Sequence, residues 1–370
     1  MTASTERAGR ILFVAPLSLS GRYAYQGRLA AAGLRQVLAD LRVSGGITLG
    51  ERRLLPEVLI LDDESTRKGV RRVLEAAAGE ADVLIGPYGS DLVREAALWA
   101  AERDRVLWNH AGSADDLQGL RGVVSVPSPA SRYLASVLEA VAGLFSGARV
   151  LAVVGRGAFG RSAAEGAREA AQRLGMTLGI LSHGGSHARQ TDLSDVDVLV
   201  SAGSFAEDLA LVGGLRRRPS AVAAVAAGVG LFGDRLRQRA DGVLGPSQWE
   251  EGVRHRADLG PGEAQVVRAL RAAVVEKLRA EVVGQHVDYL AAQAYAVGLL
   301  ATRCIERAAS LEDRAVEAQA RHLACTTFFG RFGLGPDGRQ LDHEVLVVQW
   351  QQGLKRVVWP LPLAEAPVSL

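Results

Sequence analysis

The chain has 370 residues, which exceeds one ordinary domain and predicts two lobes of about 100–200 residues each. Apolar residues make up 48% and charged residues 23%, and the formal net charge is only +2. The densest basic run, Arg216-Arg217-Arg218, has no aromatic residues interleaved, so composition argues against nucleic-acid binding. No apolar run reaches the roughly 18 residues that a membrane-spanning helix needs, so direct membrane insertion is not expected.

The N-terminal segment and the two cysteines bear on localisation. Residues 1–8 contain no apolar run and lead directly into the first predicted strand, without the apolar region of a secretory leader. We expect a disordered tail there, with the protein periplasmic if a leader was removed and cytoplasmic if the chain is complete. Cys304 and Cys325 lie in predicted helices, and the pattern favours reduced packing residues while leaving a single disulfide open.

Short apolar runs alternate with helical patterns in the first third of the chain, which predicts a parallel sheet covered by helices. A break follows at Pro127-Ser128-Pro129, where two prolines disfavour both helix and central strand. The predicted strands are 11–15, 55–61, 83–85, 106–108 and 123–126, the helices are 25–42, 67–79 and 90–103, and a tight turn or short hairpin lies at 44–50.

The alternation resumes after the prolines, and a second interruption comes at 246–252. The predicted strands are 150–154, 178–181, 196–200, 222–226 and 243–244, with helices at 160–174, 205–216 and 231–240, then helices at 263–280, 286–309 and 312–324, and final strands at 345–350 and 356–359. Late helices without a new sheet must pack on one already built. We therefore expect one lobe from 9–127 plus 251–334 and a second from 128–250 plus 335–370.

Six segments, in order along the chain, carry a family resemblance. They are PLSLSGRYAYQG at 16–27, LDDES at 61–65, LIGPYGS at 84–90, HAGSADDL at 110–117, YLAAQAYA at 289–296 and FFGRFGLGPDGR at 328–339. Together they resemble the type I periplasmic binding proteins, particularly the leucine/isoleucine/valine-binding group, over about residues 10 to 360. The resemblance implies two doubly wound α/β lobes with parallel sheets, joined by a multi-strand hinge.

The same resemblance implies a function without enzymatic activity or a cofactor. The expected role is the substrate-binding receptor of an ABC transporter, which binds a small polar metabolite between the lobes and delivers it to a permease. The metabolite class is an amino acid, an amide or a small carboxylate. The alternative is a cytoplasmic small-molecule sensor with the same fold, whose partner is a downstream regulator.

The first predicted ligand site follows the strand at 83–85. A helix that begins near Ser90 offers free N–H groups, a positive dipole end and a hydroxyl, which together suit a carboxylate. Ser90 is alternatively only the N-cap of this helix. The resemblance assigns the ligand carboxylate to the hydroxyls of Ser90 and Ser113 and the N–H of Ala111. The neighbouring candidates are Tyr25, Gln26, Tyr88, Gly89, Asn109 and His110, the last of which is alternatively a satisfied loop histidine.

The second lobe departs from the family pattern. Phe159 stands where the family has a tyrosine, and Ser204-Phe205 occupies another strand end that faces the ligand. The acid that pairs with a ligand ammonium in the family falls at or near Ala227, and a neutral residue cannot compensate a buried cation. We therefore predict uncharged or purely anionic ligands. Glu207 and Asp208 are the acids that can substitute, although they also suit the start of a helix.

Other chemistry has weaker support. GRGAFG at 155–160 and GVGLFG at 228–233 match the dinucleotide pattern, but neither is followed by an acid at the expected distance, so a nucleotide-dependent enzyme is a remote alternative. His183 and His187 are separated by glycines, and no metal-binding motif is present. The pairs Asp62-Asp63 and Asp115-Asp116 suit turns and helix caps, so no catalytic residue and no metal ligand is predicted.

Overall fold

The computed structural model describes residues 9–184, 193–277 and 287–370. The predicted tail at 1–8, His187, and parts of the helices predicted at 263–280 and 286–309 lie outside the described residues. Within the described part, no helix combines the length and apolar character needed to cross a bilayer.

The first lobe is built on a six-stranded sheet. Its elements are β1 (Arg10–Leu17), α1 (Ala24–Val43), β2 (Ile47–Leu49), β3 (Arg52–Asp62), α2 (Arg67–Ala77), β4 (Val83–Ile85), α3 (Ser90–Ala101), β5 (Leu107–Asn109), α4 (Asp115–Gln118) and β6 (Val123–Ser125). The strand order is β2-β3-β1-β4-β5-β6, and neighbours are parallel except in the β2-β3 hairpin. The order reverses between β1 and β4, which makes the sheet doubly wound.

Both faces of β1, near the centre of the first sheet, are covered, as is typical of parallel sheets. Ile11, Phe13 and Ala15 of β1 belong to one core cluster, and Val14 between them belongs to the other. Successive side chains of a strand point to opposite faces, which accounts for this division.

The second lobe contains a seven-stranded sheet of the same kind. Its elements begin with α5 (Ser131–Ala142), β7 (Arg149–Val154), α6 (Ala158–Arg173), β8 (Thr177–Ser182), β9 (Val198–Ala202), α7 (Phe205–Gly214), β10 (Ala221–Ala224), α8 (Gly230–Leu236) and β11 (Leu244–Ser247). The order β8-β7-β9-β10-β11 is parallel and reverses at β7.

The last third of the chain contributes to both lobes. It contains α9 (Glu263–Lys277), α10 (Tyr289–Ala308), α11 (Asp313–His322), the hairpin of β12 (Cys325–Thr327) and β13 (Gly330–Phe332), and the strands β14 (Leu346–Gln351) and β15 (Leu354–Trp359). α10 packs tightly on α1: a Cβ on Gly33 would lie 2.1 Å from the carbonyl oxygen of Ala291. β14 and β15 extend the second sheet in antiparallel fashion. The doubly wound two-lobe fold is therefore confirmed, whereas the lobe boundaries stay a prediction.

Two predictions of local structure were wrong or incomplete. Cys325 lies in a strand, not in a helix, and both it and Cys304 are free thiols. α5 was not among the predicted elements, although Leu134, Val137, Leu138 and Val141 repeat at helical spacing along it. The two prolines that precede α5 end one element and also permit the next helix to start.

The three segments that pass between the lobes are hydrogen-bonded to one another. The N–H of Ser128 donates to Oε1 of Gln248 at 2.9 Å, and its hydroxyl donates to the carbonyl of His343 at 3.0 Å. The His343 ring nitrogen Nε2 lies 2.8 Å from the carbonyl of Gln248. The turn Gly335–Gly338, which was expected to be the third crossing, lies against Gln118, and the crossing follows it at His343.

Candidate functional site

A cavity of about 470 Å³ lies between the lobes. It forms where the carboxyl ends of β1, β4 and β5 face those of β7, β9 and β10, which are the strands around the switch point of each sheet. Open α/β sheets bind ligands at such points, and the volume falls in the range of small-molecule sites. The lining residues are Arg22, Tyr23, Gln26, Tyr88–Asp91, Ala111, Ser113, Tyr133, Gly155–Gly160, Ala202–Glu207, Val225, Ala226, Val229, Tyr289, Leu290 and Gln293.

Ser90 presents its hydroxyl where the cavity meets the first sheet. The N-cap of α3 is Gly89, whose φ of +92° suits glycine, so the interpretation of Ser90 as the N-cap was wrong. The Ser90 oxygen instead accepts the N–H of Ala114 at 3.1 Å. The hydroxyl proton is left to donate, beside the first N–H groups of a twelve-residue helix.

Ser113 supplies a second hydroxyl, which it shares with a residue of the other lobe. Its Oγ lies 2.8 Å from the phenol oxygen of Tyr133, on α5. One proton of this pair is used between the two oxygens, and the other is available to a ligand. Burial raises the pKa of Tyr133 to about 12, so the phenol stays protonated at neutral pH.

The side chain of Asn109 holds the loop between Ser90 and Ser113, so two N–H groups of this loop are already hydrogen-bonded. The carboxamide oxygen of Asn109 accepts the N–H groups of Ala111 at 3.1 Å and Gly112 at 2.6 Å, and its nitrogen donates to Gly112 and Ser125. The N–H of Ala111, which the resemblance assigns to the ligand, is thus already engaged. Asn109 positions the loop and does not line the cavity.

Two other predicted residues of the first lobe lie away from the cavity. His110 is fully buried, and burial lowers its pKa to about 4, so it is neutral at physiological pH. Tyr25 packs on the first-lobe core. Gln26, Tyr88 and Gly89, also predicted to bind the ligand, do line the cavity.

Aromatic rings form much of the cavity wall. Tyr23 and Tyr88 meet edge to face with ring centroids 5.3 Å apart, and Tyr133 and Phe159 do so at 5.5 Å. Both arrangements suit the ring quadrupoles. The walls therefore combine aromatic surface with hydroxyl groups.

Of the ligand-site candidates in the second lobe, Phe159, Ser204 and Phe205 line the cavity, but Ala227 does not. Ala227 is fully buried, and its neighbour Ala226 takes the lining position. Neither carries a charge. The position that the resemblance reserves for an acid is therefore neutral and one residue removed from the cavity.

Glu207 and Asp208 have different environments. Glu207 lines the cavity and forms a capping box with Ser204, whose N–H donates to the carboxylate at 2.7 Å. Partial burial raises its pKa, but the hydrogen bonds from Ser204 outweigh that effect and leave the pKa below its usual value. Asp208 is buried outside the cavity, where it accepts the Ser201 hydroxyl and the N–H groups of Gly203 and Ala226. Glu207 alone of the two can face a ligand.

Several lining residues were not predicted. Tyr133, Tyr289, Leu290 and Gln293 come from helices distant in sequence from the strand-end loops. Arg22 and Arg156 add positive charge to the lining, with the Arg22 guanidinium 4.6 Å from the centre of the Tyr23 ring. The only sequence signal for Tyr289 and Gln293 was the family-like segment at 289–296.

The two glycine motifs have structural explanations. A Cβ on Gly160 would lie 2.0 Å from the carbonyl oxygen of Gly155, and one on Gly228 would lie 2.0 Å from that of Pro246. A Cβ on Gly233 would overlap the Trp350 ring at 2.2 Å. These close approaches require glycine without any nucleotide, so the motifs give no support to a dinucleotide enzyme.

A buried Ser-His-Asp set lies at the end of β9, but its geometry is not that of a nucleophilic site. Ser201 Oγ lies 2.9 Å from Nε2 of His183 and donates to Asp208 at 2.6 Å. In a catalytic triad the acid would orient the histidine through its other nitrogen. Here the acid bonds the serine. In the described part of the chain, no cluster of three or more histidine, cysteine or acidic residues is arranged to hold a metal.

Solved structures share this fold. LivJ, the branched-chain amino acid transporter substrate-binding protein of Streptococcus pneumoniae in complex with isoleucine, is 16% identical, has a TM-score of 0.77, and matches over 95% of this chain and 100% of its own. An ABC transporter solute-binding protein from R. palustris in complex with benzoate is 15% identical, with a TM-score of 0.75 and 98% of each chain covered. A substrate-binding protein from Desulfitobacterium hafniense in complex with leucine is 16% identical, with a TM-score of 0.75 and coverages of 94% and 99%.

No curated protein sequence matches the chain. The sequence profile of the family described as periplasmic binding protein matches residues 10–355, which is nearly the whole chain. The profile match and the two doubly wound lobes around an interlobe cavity agree with each other, and we conclude that this chain belongs to the periplasmic binding protein family.

Proposed function

We propose that the protein is the substrate-binding receptor of an ABC-type transporter and that it binds a small carboxylate in the interlobe cavity. The observation that carries the proposal is the pair of hydroxyl donors, Ser90 and the Ser113–Tyr133 pair, beside the start of α3. Hydroxyls and helix-start N–H groups are the donors that carboxylates prefer.

The structural neighbours support this ligand class. Isoleucine, leucine and benzoate, the ligands of the three neighbours, have a carboxylate in common. The family consists of solute-binding proteins that are generally not enzymes. The mechanism is closure of the two lobes on the solute, followed by presentation to a permease, with no covalent step.

The acidic residues of the second lobe determine which charge the other end of the ligand can carry. Of its two candidate acids only Glu207 lines the cavity, and its carboxylate is already engaged by Ser204. A buried ammonium needs a dedicated counter-charge. A carboxylate whose other end is uncharged therefore fits the site better than a zwitterionic amino acid.

The test is a thermal-shift screen of the purified protein against aliphatic carboxylates, benzoates, amides and amino acids. A ligand that binds only the folded protein at a hundred times its Kd stabilises it by about 2.7 kcal/mol, which raises Tm by several degrees. We expect carboxylates to give the shifts. Shifts from amides or amines alone, with none from any carboxylate, would refute the proposal.

A further inference from the structure

Two buried glutamines of the first lobe line the cavity. Gln26 lies near the start of α1, and Gln293 lies in the second turn of α10. They are only 4% and 2% exposed, and both line the cavity. Their carboxamide oxygens have no hydrogen-bond partner among the described residues.

Leaving a buried acceptor unpaired is costly, on the order of 1–3 kcal/mol, and folded proteins seldom retain one without a reason. Other buried carboxamides nearby are used: Asn109 makes four hydrogen bonds within its loop, and Gln118 donates to the carbonyl of Pro127 at 2.9 Å. In the described part of the chain, the buried carboxamide oxygens that lack partners are those of Gln26 and Gln293, and both belong to the cavity lining.

We propose that Gln26 and Gln293 form a second polar subsite, which accepts hydrogen bonds from an N–H or O–H group of the ligand. This rests on the proposed function, since it assumes that the carboxylate occupies the site at Ser90 and Ser113. The ligand is then bifunctional, with a carboxylate at one end and a hydroxyl or amide donor at the other.

The hydrogen-bond donor of the ligand at this second subsite is an uncharged group. Two neutral carboxamide oxygens can accept a hydrogen bond from an N–H or O–H group of the ligand. They do not offset the desolvation of a full positive charge. The aromatic surface of the pairs Tyr23–Tyr88 and Tyr133–Phe159 suits a ring or a short chain between the two ends. The geometry selects hydroxylated or amidated carboxylic acids over their hydrocarbon counterparts.

Isosteric ligand pairs test this directly. Succinamate has the shape of 4-methylpentanoate but carries an amide donor, and 4-hydroxybenzoate has the shape of 4-methylbenzoate but carries a hydroxyl. Calorimetry on the whole protein should show the donor-bearing member binding about tenfold more tightly in at least one pair. Equal affinity within both pairs would overturn the subsite and leave carboxylate binding intact. If no member of either pair binds, carboxylate binding itself fails and the subsite fails with it.

Substitutions at Gln26 and Gln293 test whether these residues cause the tighter binding of the donor-bearing ligand. Gln26→Met and Gln293→Met keep the length of the side chain and remove the acceptor, so each should reduce the preference to threefold or less. Gln36→Met is the matched control, because Gln36 lies on the same helix but bonds Asp40 at 2.8 Å outside the cavity. The control should retain the full preference.

The Tm of the unliganded variants separates a binding role from a structural one. A side chain that only holds the fold would lower Tm when replaced, whereas an unpaired buried carboxamide costs stability and its replacement should leave Tm unchanged or higher. A fall of several degrees in both methionine variants, with the ligand preference unchanged, would show that the glutamines are structural.

Discussion

The hydroxyl of Ser128 donates to the main-chain carbonyl of His343 at 3.0 Å, which ties the first of the three interlobe crossings to the third. Gln248 of the second crossing bonds both residues. The crossings therefore form one connected strip, about which the lobes can rotate as units.

Lobe closure on the ligand is the first prediction. Small-angle scattering should show a smaller radius of gyration once a ligand, verified by calorimetry, saturates the protein, because the two cavity walls then approach each other. An unchanged radius under those conditions would rule out the hinge.

The carboxylate subsite gives the second prediction. Ser90→Ala and Ser113→Ala should each weaken binding by about 1–2 kcal/mol, since each removes a donor to a charged group. The measurement is calorimetric titration with the best carboxylate from the screen. Ser136→Ala is the control, because Ser136 is buried on α5 but does not line the cavity. Wild-type affinity in the double variant would place the carboxylate elsewhere.

Stability should fall as the solution becomes acidic. Burial lowers the pKa of both His110 and His343 to about 4, from an ordinary value near 6.5. Between these values the unfolded chain holds more protons than the folded one, so folding weakens as pH decreases. Going from pH 7.5 to 5.5 should lower the free energy of unfolding by about 1.4 kcal/mol for each histidine.

Urea unfolding at the two pH values measures this difference. A His110→Asn/His343→Gln variant should lose most of the dependence, with a residual slope from His255, whose pKa burial also lowers. If the variant shows the same slope as the wild type, other groups cause the acid sensitivity.

The sequence allowed the strand-end loops of the site to be predicted, but not the helices that complete it. Ser90 and Ser113 follow strands of one parallel sheet, and such ends meet at one edge. Tyr133 and Gln293 reach the same cavity only because the lobes pack as they do, and no local pattern encodes that placement.

Two local errors had visible causes. The sequence places Asn109 two residues before Ala111, and asparagine side chains commonly bond backbone N–H groups two residues on, so capture of the Ala111 N–H was predictable. The alternative interpretation of Ser90 as the N-cap of α3 arose because serine is a favoured cap, but Gly89 has the positive φ and takes that position.

Asp288 connects the lobes near the cavity and gives a further prediction. Its Oδ2 accepts the N–H of Gly230 in the second lobe at 3.0 Å, and its Oδ1 accepts that of Leu290 at 3.3 Å as the N-cap of α10. Burial raises its pKa, in spite of the lowering by Lys355 and these N–H groups. Asp288→Ser retains a cap residue but is too short to span to Gly230.

We expect Asp288→Ser to weaken ligand binding by about fivefold, because the closed state loses a hydrogen bond worth about 1 kcal/mol, with little change in Tm. Asp288→Ala loses the cap as well and should also lower Tm. Calorimetry and thermal unfolding of the two variants separate the effects. Unchanged affinity in Asp288→Ser would show that the bond to Gly230 does not contribute to closure.

The last prediction concerns ligand charge. Ala227 is neutral and buried, Asp208 is fully engaged outside the cavity, and Glu207 is held by Ser204. The remaining acid of the lining, Asp91 of the first lobe, is half-exposed and already paired with Arg67 at 3.6 Å. A ligand ammonium would therefore be desolvated without a dedicated partner. In a head-to-head titration, 4-methylpentanoate should bind more tightly than leucine.

The matching amide, leucinamide, should bind least well, since it keeps the ammonium and lacks the carboxylate. Tenfold tighter binding of leucine would mean that Glu207 supplies the counter-charge after all. Glu207→Gln distinguishes the cases: it should leave the affinity for 4-methylpentanoate unchanged or slightly higher, because a nearby negative charge repels the carboxylate. Glu207→Gln should abolish a preference for leucine over 4-methylpentanoate only if the Glu207 carboxylate pairs with the leucine ammonium.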